Sequence, residues 1–194
     1  INIVTSRPSQ ESEVRLRVSA GTDELRHFQA LATGGLSERI AGKLVYSFRD
    51  RDGYGRNVIS PGEINTAGNF SNSPLIGGSI GAGNAGEKMD DARAVSARGQ
   101  LMFEITEDVA LLLSADYAKD ETNGPCRHIQ NVDSAIAGLA PFWRIGMSER
   151  YMADDRNCAS QFDTSQERTV EGLMARLEVD LEWSTLTSIT AWRA

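Results

Sequence analysis

Apolar and polar residues alternate with a period of two along most of this chain, in segments of about ten residues, and a sustained helical period is almost nowhere found. The alternation predicts strands. A first sets Val14, Leu16, Val18 and Ala20 against Glu13, Arg15, Arg17 and Ser19. After the tight turn Gly21-Thr22-Asp23, a second sets Phe28, Ala30 and Ala32 against His27, Gln29 and Thr33. The third is the cleanest, with Ile40, Gly42, Leu44, Tyr46 and Phe48 opposite Ala41, Lys43, Val45, Ser47 and Arg49. A fourth carries Val95, Ala97, Gly99, Leu101 and Phe103 opposite Ser96, Arg98 and Gln100. A fifth carries Val109, Leu111, Leu113, Ala115 and Tyr117. The sixth sets Leu173, Ala175, Leu177, Val179 and Leu181 against Arg176, Glu178 and Asp180, and a seventh, Trp183 to Ala194, has mixed faces.

The connections alternate in length. Stretches from Asp50 to about Asp90 and from Asp120 to about Glu167 lack a sustained period and read as long loops, while the other links are turns of a few residues. In an up-and-down meander both long loops leave from the same edge of the sheet. Tyr46, Phe48 and Tyr117 fall next to that edge and Phe103 next to the short-turn edge, the pattern of an aromatic girdle. From Ile40 to Phe48 the third strand rises about 26 Å, or about 20 Å after a 40° tilt, close to the apolar band of a membrane barrel. The opposite faces carry Lys43, Arg49, Arg98, Asp116, Arg176, Glu178 and Asp180. A dry sandwich core would not accept that charge, but a wet lumen or an exposed sheet face would. On pattern alone a membrane barrel and a soluble all-β sandwich both stand.

Composition narrows the classes. The 194 residues carry 20 Lys and Arg against 27 Asp and Glu, a formal charge of −7, which disfavours a nucleic-acid partner. No apolar run approaches the 18 or so residues of a helical span. Ile1 opens inside an apolar extended stretch without an initiator Met or an export signal, so the sequence reads as a piece of a longer chain.

The opening Ile1-Asn2-Ile3-Val4-Thr5-Ser6-Arg7-Pro8 resembles the segment that ends the plug domain of TonB-dependent outer-membrane receptors, with Ser6 where the family carries Lys. The residues after Pro8 are similar to that family's first barrel strands. The pieces are the hairpin around Gly21, the turn Gly35-Leu36-Ser37-Glu38, the stretch from Arg49 to Asn57 containing Arg51-Asp52-Gly53-Tyr54, and the runs Asp91 to Leu101 and Leu186 to Arg193. The resemblance covers the whole chain through the order and spacing of these pieces. It implies residues 1–10 as the end of a plug domain and linker. Residues 11–194 are then the N-terminal part of a transmembrane β-barrel, all-β and antiparallel, with extracellular loops at about 50–90 and 120–167. At about 28 residues per strand, the seven strands are a part of the roughly 22 that the family's barrel implies. The implied location is the bacterial outer membrane. The implied activity is import of a scarce nutrient, a ferric siderophore, cobalamin or an oligosaccharide, with energy from the TonB complex through segments absent from this sequence. The implied partners are outer-membrane lipid, the TonB complex and a small-molecule or metal-chelate substrate. A soluble or surface-attached all-β binding or adhesion domain is the alternative, and a passive porin a third.

Few residues point to chemistry. Cys126 and Cys158 share the second long loop, and the outer cell envelope is oxidising, so a disulfide is expected rather than two free thiols. Neither a Cys-x-x-Cys pair nor a second nearby His supports a metal site, and no cofactor is implied. Tyr54 suits an interfacial anchor at the strand exit and is a candidate ligand contact. Arg127 and His128 are candidate substrate contacts in the second loop, and Trp143, Phe142 and Tyr151 could stack on a sugar or an aromatic siderophore. His27 reads as a solvated residue of the polar face. The run Gly81-Ala82-Gly83-Asn84-Ala85-Gly86 matches a dinucleotide fingerprint only superficially, because no strand-to-helix context surrounds it. Ser, His and Asp are not ordered into a nucleophile and base, so catalysis finds no support and the chain does not read as an enzyme.

Overall fold

Ten strands and the turns between them make up the computed structural model, which describes residues 6–58, 86–127, 154–158 and 164–194. In chain order they are β1 (Glu13–Ala20), β2 (Arg26–Ser37), β3 (Ile40–Arg51), β4 (Gly55–Asn57), β5 (Lys88–Met89), β6 (Ala92–Glu104), β7 (Val109–Thr122), β8 (Asn157–Cys158), β9 (Gln166–Leu181) and β10 (Ser184–Arg193). No helix occurs among the described residues. Two units result, one of Ile1–Asp50, Arg93–Asp120 and Arg168–Ala194, the other of Arg51–Ala92 and Glu121–Glu167.

The first unit is built on a seven-stranded sheet in the order β1-β2-β3-β6-β7-β9-β10. The long strands are therefore neighbours in the order in which they occur, the meander that the short turns dictate. Antiparallel register sets Val14 opposite Ala32, Leu16 opposite Ala30 and Val18 opposite Phe28; Phe28 in turn faces Phe48, and Ala30 faces Tyr46. Since side chains alternate between faces, these apolar residues share one side of the sheet. Phe28 and Tyr46 are in ring contact there, with centroids 6.2 Å apart. That side is bare: Leu16 is 68 % and Val18 76 % exposed. The opposite side holds the buried Gln100 and Ser114, joined by a hydrogen bond of 3.1 Å.

The mixed pattern of the last strand is resolved by its register. Leu173 faces Trp192 and Val179 faces Leu186, so Leu186 and Trp192 belong to the apolar side, whereas Ile189 faces Arg176 on the polar side. Trp183, almost fully exposed, adds an aromatic at the short-turn edge. Strands β7 and β9 extend past their alternating apolar residues to Thr122 and back to Gln166. There both faces are polar, so hydrogen-bonded strand continues where the hydropathy signal has stopped.

The first hairpin turns on Thr22–Leu25. Leu25 N–H donates to the Thr22 carbonyl at 3.2 Å, and Asp23 and Glu24 take φ of 56° and 53°. Positive φ at both central positions is the type I′ arrangement, whose twist matches that of the flanking strands.

The second unit contains three short strands in the order β5-β4-β8. Its segments read from sequence as long loops, so this sheet is a correction to that reading. Strands of two or three residues are too short to show a period.

Candidate functional site

In the second unit the chain leaving β3 is clamped at once. The Arg51 guanidinium lies 5.3 Å from the centre of the Tyr54 ring, a cation–π contact, and its Nη2 donates to the Asp90 carbonyl at 2.5 Å. Between these residues Gly53 leaves no room for a side chain, because a Cβ would run into the backbone of Met89. Met89 is fully buried and pairs with Gly55 in antiparallel register. A Cβ on Gly55 would strike the Cβ and Sγ of Cys126.

Cys126 and Cys158 are joined by a disulfide, with Cα atoms 5.3 Å apart. β8 lies parallel to β4, with Arg56 opposite Asn157 and the buried Asn57 opposite Cys158. Asp90 and Asp91 tie the staple down. Asp90 Oδ2 accepts from the Cys126 N–H at 2.9 Å, and its own N–H donates to the Gly124 carbonyl at 2.9 Å. Asp91 Oδ1 accepts from the Asn123 N–H at 2.6 Å and from the Thr122 hydroxyl at 3.1 Å. Gly124 takes φ of 87° against Thr164, whose hydroxyl donates to the Asn123 carbonyl at 2.8 Å.

On this clamped base Tyr54, 47 % exposed, and Arg56, Arg127 and Arg156 are open to solvent. An aromatic face and guanidinium groups on a fixed backbone suit recognition of an anionic or aromatic solute. Among the described residues no cluster of three or more His, Cys, Asp or Glu could hold a metal ion. Of the residues singled out from sequence, Tyr54, Arg127, Cys126 and Cys158 fall in this unit, with Arg127 adjoining the staple. His128, Trp143 and Tyr151 lie outside the described residues. Sequence reasoning missed Arg51, Asp90 and Asp91 as clamps. Their only signals were the nearby glycines and the polarity of a stretch without period.

The polar wall of the first unit carries its own network. Asp116 lies between Arg98 at 3.4 Å and Arg193 at 3.5 Å, and Glu178 between Arg7 at 2.6 Å and Arg176. Next to Asp116 a cavity of about 200 Å³ is lined by Arg98, Gln100, Ser114, Gly172 and Arg193. Ionic groups on one side and bare apolar side chains on the other are the sorting required of a sheet between lipid and a watery lumen.

Solved structures share the backbone fold. The ferripyoverdine receptor of the outer membrane of Pseudomonas aeruginosa, bound to ferripyoverdine, superposes with a TM-score of 0.54 over 91 % of this chain at 16 % identity. The seven-stranded sheet has the fold of part of that solved chain's β-barrel. A complex of FpvAI with pyocin S2 matches 97 % of the chain at a TM-score of 0.57 and 12 % identity. The ferric enterobactin receptor of P. aeruginosa, in a G324V mutant, matches 97 % at 0.53 and 10 % identity. The chain spans 18 %, 19 % and 23 % of those three solved chains. No protein-family model and no curated protein matches the sequence. The likeness to these solved chains is thus one of backbone fold, which survives at identities where sequence matching fails.

Proposed function

We propose that this chain is part of the wall and outer loops of an outer-membrane receptor that imports a ferric siderophore with energy from the TonB complex. In this reading residues 1–10 end the plug domain and 11–194 begin the barrel. The apolar side meets outer-membrane lipid and the polar side faces the lumen. The clamped unit around Tyr54 and Arg127 contributes to the outer, ligand-contacting surface. The observation that carries the reading is the two-sidedness of the sheet together with its likeness to receptors that bind ferripyoverdine or, by name, ferric enterobactin. A soluble binding domain is opposed by a sheet face that leaves Val14, Leu16, Val18, Leu44 and Leu186 bare at once. Cobalamin and oligosaccharides have no comparable support.

The test is growth of the source organism under iron limitation, with and without the gene, on a panel of radiolabelled ferric siderophores. Loss of accumulation of at least one chelate, with the protein in the outer-membrane fraction, is expected. Recovery of the protein in the soluble fraction, or unchanged uptake of every chelate, would sink the proposal.

A further inference from the structure

The polar wall is arginine-rich, and most guanidinium groups on it have a carboxylate. Arg15 pairs with Glu13, Arg98 and Arg193 with Asp116, Arg168 with Asp120, and Arg176 with Glu178. Among the described arginines of this face within the first unit, Arg17 on β1 and Arg49 on β3 are the two without a carboxylate partner. Register brings them into one patch: Arg17 faces Gln29, which faces Ser47, and in the next row Ser19 faces His27, which faces Arg49. His27 and Ser47 are already in contact, with Nε2 3.3 Å from Oγ.

This grid of six side chains is rich in donors and holds no carboxylate. On the same face of these three strands the one acidic residue is Glu13, engaged by Arg15. With strands about 4.8 Å apart, the Cα atoms of Arg17 and Arg49 are about 12 Å apart, so two long side chains can converge on one group above His27 and Gln29. Two guanidinium groups with amide, hydroxyl and imidazole donors between them match an oxyanion, which accepts several charge-assisted hydrogen bonds at once. The setting sharpens the contrast, because a chain of net charge −7 repels anions over most of its surface.

We propose that the Arg17–His27–Arg49 patch is a binding site for an oxyanion, a carboxylate or phosphate group on a small solute. It goes beyond the uptake reading, since it requires only that the polar face be reachable by solutes.

The experiment is calorimetric titration of the natural protein in detergent, at low ionic strength, with citrate and separately with inorganic phosphate. Heat-modifiable migration certifies that each variant is folded. At least one anion is expected to bind the wild type. Arg17→Gln and Arg49→Gln should each weaken binding about tenfold and the double variant about a hundredfold. Arg26→Gln, on the opposite face and engaged by Glu24, should bind like the wild type. Citrate alone binding identifies a carboxylate site, phosphate alone a phosphate site, and both a site selective for charge. Should the Gln double variant fail to fold, the Lys double variant keeps the charge, and it should still bind about tenfold more weakly because the guanidinium forks are lost. Absence of binding by either anion, or a double variant with wild-type affinity, overturns the site. Chelate uptake retained alongside such a result leaves the receptor reading intact, and anion binding without uptake of any chelate does the reverse.

Discussion

Arg7 and Glu178 are 171 positions apart in sequence, yet their side chains form an ion pair at 2.6 Å that ties the segment preceding β1 to β9. Glu178 also accepts from Arg176, so one carboxylate serves two guanidinium groups. Removing the carboxylate strands both cations, whereas removing Arg7 leaves the Arg176 pair in place. Glu178→Gln is therefore expected to destabilise by about 1–2 kcal/mol and Arg7→Ala by less than about 1, the smaller value reflecting the exposure of Arg7. Urea midpoints of the two variants check the ranking, and equal midpoints would contradict it.

Gly53 and Gly55 face backbone and disulfide where other residues would have a side chain. Gly53→Ala drives a methyl into the Met89 backbone and should cost about 1–3 kcal/mol through displacement of β5. Gly55→Ala pushes on Cys126 and is expected to leave a fraction of the protein with two free thiols. Thiol titration under denaturing conditions, before and after reduction, reads that fraction directly.

The staple has a calculable worth. Cross-linking across a separation of 32 residues should stabilise the second unit by about 3.7 kcal/mol in the chain-entropy model. A Cys126→Ser/Cys158→Ser variant should keep the seven-stranded sheet and lose protection in the second unit. Limited proteolysis, with cleavage sites mapped by mass, is the measurement. Cleavage within β6 or β7 at the same rate would show that the sheet depends on the staple as well.

Sidedness makes a prediction specific to lipid. Leu113→Arg puts a charge on the bare face, where it should cost about 2–4 kcal/mol near the middle of a bilayer. Thr187→Arg, on the other side of the sheet, should stay within about 0.5 kcal/mol of the wild type. Unfolding in liposomes distinguishes them, and equal costs would remove the membrane reading.

At the first hairpin, Glu24 holds φ of 53°, a region that glycine enters without penalty. Glu24→Gly is expected to raise stability by roughly 0.5–1 kcal/mol, since glycine is the preferred second central residue of a type I′ turn. A thermal melt of the folded protein gives the sign.

Much of this was legible from alternation. Six of the seven long strands and the side on which Leu44 or Leu113 lies come from a period of two, and the short turns give their order, whereas the sides of the seventh come only from its register. The upper ends of β7 and β9 were not, since no apolar band marks them. Nor was the Asn57–Met89–Cys158 core, whose strands are too brief to hold a pattern and whose partners lie far apart in sequence. The Arg17–His27–Arg49 patch was equally hidden. Each residue looks like an ordinary solvated polar position until register sets the three side by side.

Strand β4 meets β8 in parallel alignment across about a hundred residues, whereas the disulfide beside them closes only thirty-two. A distant parallel contact forms late, because its loop-closure entropy is met before any contact is gained. Oxidation of Cys126 and Cys158 shortens that search by anchoring the end of β8 to a residue already adjoining Gly55. Maturation of the second unit is therefore expected to keep pace with thiol exchange, and to slow as the oxidising power of the compartment the chain passes through falls.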